Sequence, residues 1–357
     1  MADRKHDVVD VRQEIAELDR SLLAKLEERS RLSRKINKLS EGENLAADVS
    51  EREWLAELEK AASGDLPLED VRAVFHQVRA SARALEEAAR VAYLGPEGSF
   101  CHATAKSYFG AGGVYAECLT VAEALEEVAR GRAVYAVFPY ESSTDGLVVS
   151  SMATLEETDL VLVAERTAAA SYDLMSRNAN MGDIEKVYAT AAAHAACERF
   201  LERELPKATV IDVRSPVVAV DLAADDHGSA AIAPAACGRE LELGTVRANI
   251  GDMADMSFRF GIAGARPAMR TGNDTTCLLF SVDDTPGALF DVLRHFAERG
   301  VNLKKLQSRP VSGKGWDYVF YVEVSGHVTD RPVVTALEAV KRGTKYLKVL
   351  GSFPTER

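Results

Sequence analysis

The sequence predicts a multidomain chain in three parts: an all-α segment, an α/β body and a closing βαββαβ unit. Three observations carry this. Through the first ninety residues, apolar side chains recur at three- and four-residue spacing with no strand signal. From Val91 to about Arg266, short apolar runs alternate with amphipathic ones, the signature of a layered α/β fold with a mostly parallel sheet. After the polar connector Arg270-Thr271-Gly272-Asn273-Asp274 the pattern resets.

At 357 residues, 47% hydrophobic and 27% charged, the chain has room for several cores. Its formal charge of −12 argues against a nucleic-acid surface, which needs a basic excess. Small anions remain open as ligands, because local arginines decide those. Cys101, Cys118, Cys197, Cys237 and Cys277 are odd in number and never form C-x-x-C. They predict reduced thiols in the cytoplasm. The start, MADRKHDVVD, has no apolar leader, and no run approaches a membrane span, so no membrane partner is expected.

Val11, Ile15, Leu18, Leu22 and Leu26, extended by Leu32, Ile36 and Leu39, predict one long helix. Ser40-Glu41-Gly42-Glu43-Asn44 breaks it. A second helix is expected over about Glu51 to Ala62, and Ser63-Gly64-Asp65-Leu66-Pro67 opens a third that runs to about Ala89. Three such helices cannot close a large core alone, so pairing with a second copy is expected. Arg29 stands where the apolar stripe would place a leucine. A guanidinium there needs a carboxylate from protein or ligand, and Arg12, Arg52 and Glu53 are candidates to face the same cavity.

In the middle, Val91-Ala92-Tyr93-Leu94 runs into the turn Gly95-Pro96-Glu97-Gly98, with Ser99 placed to cap the following helix. Such a helix start presents unpaired N–H groups to a carboxylate or phosphate. Further strands are expected at 133–138, 160–163 and 209–213, with ligands at their carboxyl ends. One such end carries Glu141, Ser142, Ser143, Thr144 and Asp145. His102, His194 and His227 lack metal-ligand spacing, and neither G-x-G-x-x-G nor a P-loop occurs, so no metal and no cofactor is predicted.

In the last part, strands at 276–282, 301–306, 318–324 and 347–350 and helices at 286–300 and 333–341 give the ferredoxin-like order. Gly287 opens the first helix, whose N-terminus can receive a carboxylate.

The helical part resembles the all-helical chorismate mutase family. Arg12 in D-V-R-Q-E-I, Arg29 in L-E-E-R-S, Arg52 and Glu53 in S-E-R-E-W, and S-A-R-A-L-E (Ser81 to Glu86) stand at matching positions. Ser40 replaces that family's lysine. The middle resembles the prephenate dehydratase family, a two-lobed fold similar to periplasmic binding proteins, through the turn at 95–100, the loop at 139–146, Asn249-Ile250-Gly251-Asp252 and Arg259 in M-S-F-R-F. Phe258 occupies the place of its catalytic threonine, and Ala189-Thr190-Ala191-Ala192 that of Ser-His-Pro-Gln. The last part resembles the ACT domain. Gly287-Ala288-Leu289 and Gln307-Ser308-Arg309-Pro310 correspond to phenylalanine-sensing motifs, with Gln307 in place of glutamate.

The resemblance implies domains at 1–90, 91–270 and 271–357. It implies a bifunctional enzyme of phenylalanine synthesis that carries chorismate to prephenate to phenylpyruvate. Arg259, Arg12, Arg29, Arg52 and Glu53 are the implied catalytic residues, and Gly98, Ser99, Glu141, Ser143 and Thr144 the implied substrate contacts. Gly287, Ala288, Leu289, Gln307, Ser308, Arg309 and Pro310 would bind L-phenylalanine in a homodimer or homotetramer. The substituted positions leave two alternatives: a regulatory or binding paralogue, and a repurposed prephenate-type decarboxylase.

Overall fold

The computed structural model describes residues 2–39, 51–62, 64–86, 90–110, 112–144, 146–178, 180–240, 243–253, 255–310 and 318–356. The chain opens with α1 (Ala2–Leu39), α2 (Glu51–Ala61) and α3 (Leu68–Glu86), as the spacing of apolar residues predicts. The expected break at Ser40 to Asn44 lies outside the described residues. Val11, Ile15, Leu18 and Leu22 on α1 remain 51–69% exposed, so the stripe that defines this helix is not covered within one chain.

In the first lobe, β1 (Arg90–Leu94) pairs in parallel with β2 (Val114–Cys118) and β3 (Tyr135–Ser142). The connecting helices are α4 (Phe100–Phe109) and α5 (Val121–Ala129), capped by the hydroxyls of Ser99 and Thr120. The short β4 (Gly146–Leu147) folds back on β3, then α6 (Val149–Glu156) and β5 (Val161–Ala169) follow. The chain crosses to a second lobe. Its sheet runs β10-β6-β9-β7-β8, from β6 (Tyr172–Met175), β7 (Lys186–Ala189), β8 (Thr209–Asp212), β9 (Ser229–Pro234) and β10 (Thr245–Arg247). Around it lie α7 (Ala191–Ala196), α8 (Glu198–Glu204), α9 (Pro216–Asp225) and α10 (Ala235–Glu240). Strand β11 (Ser257–Gly264) returns to the first lobe, inserting antiparallel between β3 and β5. Both sheets are therefore mixed rather than mostly parallel: each has three parallel strands, and the crossings between lobes force antiparallel neighbours.

The last part forms β12 (Asp274–Ser281), α11 (Ala288–Ala297), β13 (Leu303–Pro310), β14 (Tyr318–Ser325), α12 (Arg331–Arg342) and β15 (Tyr346–Pro354), the expected order. Its sheet is not separate. Strand β15 lies beside β5, with Gly351 opposite Leu162, and the two sheets become one of ten strands. A Cβ on Gly351 would sit 2.2 Å from the Leu162 carbonyl oxygen, so only glycine permits this approach. Phe138, Tyr140 and Leu162 of the first lobe share a core with Cys277, Leu279, Tyr321 and Phe353. Glu356 then straps the end of the chain to β5, accepting from Arg166 at 2.7 Å and from the Thr167 N–H at 2.6 Å.

Candidate active site

The turn after β1 is where the lobes meet. The Gly98 N–H donates to His102 Nδ1 at 3.1 Å, and the His102 N–H donates to the Ser99 hydroxyl at 3.3 Å. His102 stacks on Tyr93 with ring centroids 4.6 Å apart, a structural role. Gly98 has φ +79°, and a Cβ there would lie 2.8 Å from Val217 Cγ2 on α9. The Cys237 thiol donates to the Gly98 carbonyl at 3.2 Å. Gly98 therefore serves the close approach of the lobes and does not line the cavity beside it.

That cavity encloses about 340 Å³, within the usual range for small-ligand sites. Pro96, Ser99 and Phe100 line it from the first lobe; Tyr172, Thr190, Asp212, Arg214 and Pro216 line it from the second. Phe100 and Tyr172 meet edge to face across the lobes at 5.0 Å. The starts of α4, α7 and α9 face the space, each with a hydroxyl cap. The Thr190 oxygen accepts the Ala193 N–H at 3.2 Å, which leaves its own proton to donate. Burial pushes the Tyr172 phenol up to about 12, so it stays a neutral donor. Arg214 supplies the cavity's cation.

Arg259 is elsewhere. On β11 the side chains alternate, and Phe258 packs beside Phe260 with the apolar cluster under α4. Arg259 turns to the opposite face, toward the last domain, 7% exposed. Its guanidinium is bonded to Glu165 on β5, Glu141 on β3 and Glu323 on β14. Tyr140 donates to Glu165 at 2.7 Å, Tyr321 donates to Glu323 at 2.8 Å, and Lys305 pairs with Glu141 at 2.9 Å. Burial opposes the arginine's charge, but Tyr140, Glu165 and Glu323 outweigh it and raise its pKa. The Arg259 guanidinium is thus engaged by carboxylates inside the protein, and Arg214 is the arginine that lines the cavity. Glu141, Ser143 and Thr144 do not line the cavity either. Glu141 belongs to the Arg259 cluster, Ser143 accepts the N–H of Ser257 on β11 at 3.0 Å, and Thr144 bonds Ser142 at 2.7 Å. Asp145 lies outside the described residues.

Profiles for prephenate dehydratase, ACT domain and chorismate mutase type II match residues 91–268, 277–342 and 11–87. The bifunctional chorismate mutase/prephenate dehydratase of Aquifex aeolicus is 34% identical, with 98% of each chain covered. This chain belongs to that family. The enzyme of the same name from Pseudomonas aeruginosa is 32% identical over 96% of each chain. The solved prephenate dehydratase of Arthrobacter aurescens in complex with L-Phe matches with a TM-score of 0.64 at 29% identity, covering 74% of this chain and 90% of that one.

Within this chorismate mutase/prephenate dehydratase chain, two of the expected helical site residues are described. Arg12 is exposed and Arg29 half-buried on the same helix, roughly 25 Å apart along its axis at 1.5 Å per residue. The expected cavity of Arg12 with Arg52 and Glu53 involves side chains that lie outside the described residues, as does Ser40.

In the ACT domain, Gly287 adopts φ +88° at the exposed start of α11, and Ala288 and Leu289 are half-buried. Gln307 and Arg309 turn away from this start toward the dehydratase lobe. The Gln307 Oε1 accepts the Leu147 N–H at 3.3 Å, and Arg309 pairs with Glu156 on α6. Ser308 and Pro310 alternate to the exposed side of β13, the edge strand. In one chain, Gln307 and Arg309 are therefore interdomain ties.

Sequence reasoning missed Arg214, Asp212, Tyr172, Glu165 and Glu323. An arginine just past a strand and just before a helix cap was the available signal for Arg214.

Proposed function

We propose that the interlobe cavity takes a prephenate-type ring acid and aromatises it. Arg214 and the starts of α4 and α9 hold carboxylate, while Phe100 and Tyr172 enclose the ring. The bond from ring to carboxylate breaks, its electron pair enters the ring, and the ring hydroxyl departs at the far carbon. Thr190 or Tyr172 donates the proton that turns the leaving hydroxide into water, so carbon dioxide, water and an aromatic product result, with no external oxidant. The observation that carries this reading is an arginine and neutral hydroxyl donors lining one interlobe cavity. Family membership supports it.

The same reading gives the helical part a mutase role in a homodimer or larger homo-oligomer, with Arg12, Arg29, Arg52 and Glu53 supplied by two copies. It gives the ACT domain an L-phenylalanine effector at Gly287 to Leu289, with Ser308 and Pro310 on the exposed side of β13. The L-Phe complex of the Arthrobacter aurescens prephenate dehydratase supports the effector. The five cysteines are free and buried, which suits a cytoplasmic protein. Among the described residues, no helix is long and apolar enough to cross a membrane.

A second reading, capture without conversion, is favoured by Phe258, which places an apolar ring where the family has a hydroxyl. Purified full-length chain given prephenate separates the two. Phenylpyruvate appearing in ultraviolet absorbance, and falling about tenfold or more in Arg214→Gln, is expected. Binding without product would establish the second reading.

A further inference from the structure

Asn249-Ile250-Gly251-Asp252 lies on the return from β10 to β11 and does not line the cavity, yet it grips the outgoing segment at Tyr172. The Ser171 hydroxyl donates to Asn249 Oδ1 at 3.3 Å, the Ile250 N–H donates to the Tyr172 carbonyl at 2.8 Å, and the Asn249 N–H donates to Asp173 Oδ1 at 2.9 Å. Residues 171, 172 and 173 are thus each fixed by 249 or 250. Asn249 has φ +52°, a left-handed conformation that asparagine tolerates better than most residues. Asp173 is 6% exposed, and among the described residues its carboxylate meets a backbone N–H and no cation. Its role is to hold a turn. At the other end of the motif, the Asp252 carboxylate accepts from the Arg199 and Phe200 N–H groups at 2.9 and 3.1 Å. The Asp252 N–H donates to the Ala196 carbonyl at 2.8 Å, and Ile250 packs in one cluster with Tyr172, Ala193 and Ala196. One short segment therefore ties Tyr172 to α7 and α8.

Tyr172 lines the cavity, and its hydroxyl makes no hydrogen bond to a described residue, whereas the Thr190 oxygen is already engaged as the cap of α7. We propose that the Tyr172 hydroxyl gives the proton to the departing ring hydroxyl, and that Asp173 and Asn249 are the positioning residues that hold Tyr172 for it. This rests on the aromatising reading of the same cavity and names its donor. The Tyr172 O–H bond breaks as the ring C–O bond breaks, the proton leaves with the hydroxide as water, and the phenolate recovers a proton from solvent. Phe258, which brings no hydroxyl to the place of the family's catalytic threonine, is then not needed for this step.

The test measures kcat and KM for prephenate in the full-length chain and in Tyr172→Phe, Asp173→Ala, Asp173→Asn and the double variant Asp173→Ala with Tyr172→Phe. Tyr172→Phe should lower kcat about a hundredfold with KM changed less than about threefold. Asp173→Ala should lower kcat about tenfold when Tyr172 is present and less than about twofold when Phe stands there. Asp173→Asn, whose amide oxygen can still accept the Asn249 N–H, should keep most of the rate. Melting temperatures report whether each variant is folded. If Asp173→Ala does not fold, Asn249→Gly takes its place in the same cycle, since glycine keeps the left-handed backbone and loses only the Ser171 contact. Equal losses with and without the Tyr172 hydroxyl would make the brace merely structural and overturn the positioning role. Nearly full activity in Tyr172→Phe would overturn the donor while leaving the aromatising reading in place. No phenylpyruvate from wild type would overturn that reading and the donor together.

Discussion

Arg259 stood out in the sequence, and its partners did not. A signature arginine on a strand suggests a carboxylate clamp, but Glu165 and Glu323, 94 and 64 residues away in sequence, consume it. A cluster of this kind is best tested by removing one member. Arg259→Ala leaves buried carboxylates without their cation and should cost about 3–5 kcal/mol in urea denaturation. A loss below about 1 kcal/mol, the range of exposed pairs, would show the cluster to be solvated. Glu141 gives the pH dependence. Burial alone would raise its pKa, but Lys305 and Arg259 lower it below the ordinary 4.5. A carboxyl depressed in the folded state stabilises the fold above the unfolded pKa and loses that contribution as pH falls through the folded one. The melting temperature should therefore fall below about pH 4.5, and Glu141→Gln should flatten that fall; an unchanged slope would remove Glu141 from the account.

Among the elements, the helices and strands that apolar periodicity anticipated form near their expected places, and Ser99 caps α4 as expected, because those signals are local; the short β2, β6, β7, β9 and β10 and the caps Thr120, Thr190 and Ser215 came from the structure. Sheet order was not legible, since it depends on which distant edges meet. The fusion of β15 to β5 rests on Gly351 against Leu162. Gly351→Ala must push the strands apart, with an expected loss of about 1–3 kcal/mol and a lower melting temperature. A variant as stable as wild type would mean that the seam is loose. Lys348 adds a second tie, donating to the Glu156 carbonyl at 2.6 Å near the end of α6. The ACT strands therefore hold the dehydratase lobe through backbone, through Lys348 and through Arg309, and effector control has a mechanical route into the lobe that the polar connector at 270–274 did not suggest.

For the molecule as a whole, the exposed stripe on α1 is the proposed contact with a second copy. Leu18→Glu with Leu22→Glu should reduce the mass in light scattering and remove mutase activity, while prephenate still binds the interlobe cavity; an unchanged mass would place the contact elsewhere. The sequence by itself determined the three parts, their order, their family and most helix and strand positions. These follow from hydrophobic period, turn residues and short motifs, all of which are written in neighbouring positions. Only the tertiary structure decided which charges are free to meet a ligand. Arg259 and Arg214 are equally cationic in the sequence; folding surrounds the first with carboxylates from three strands and leaves the second at a cavity, because charge compensation is set by proximity in space and not along the chain.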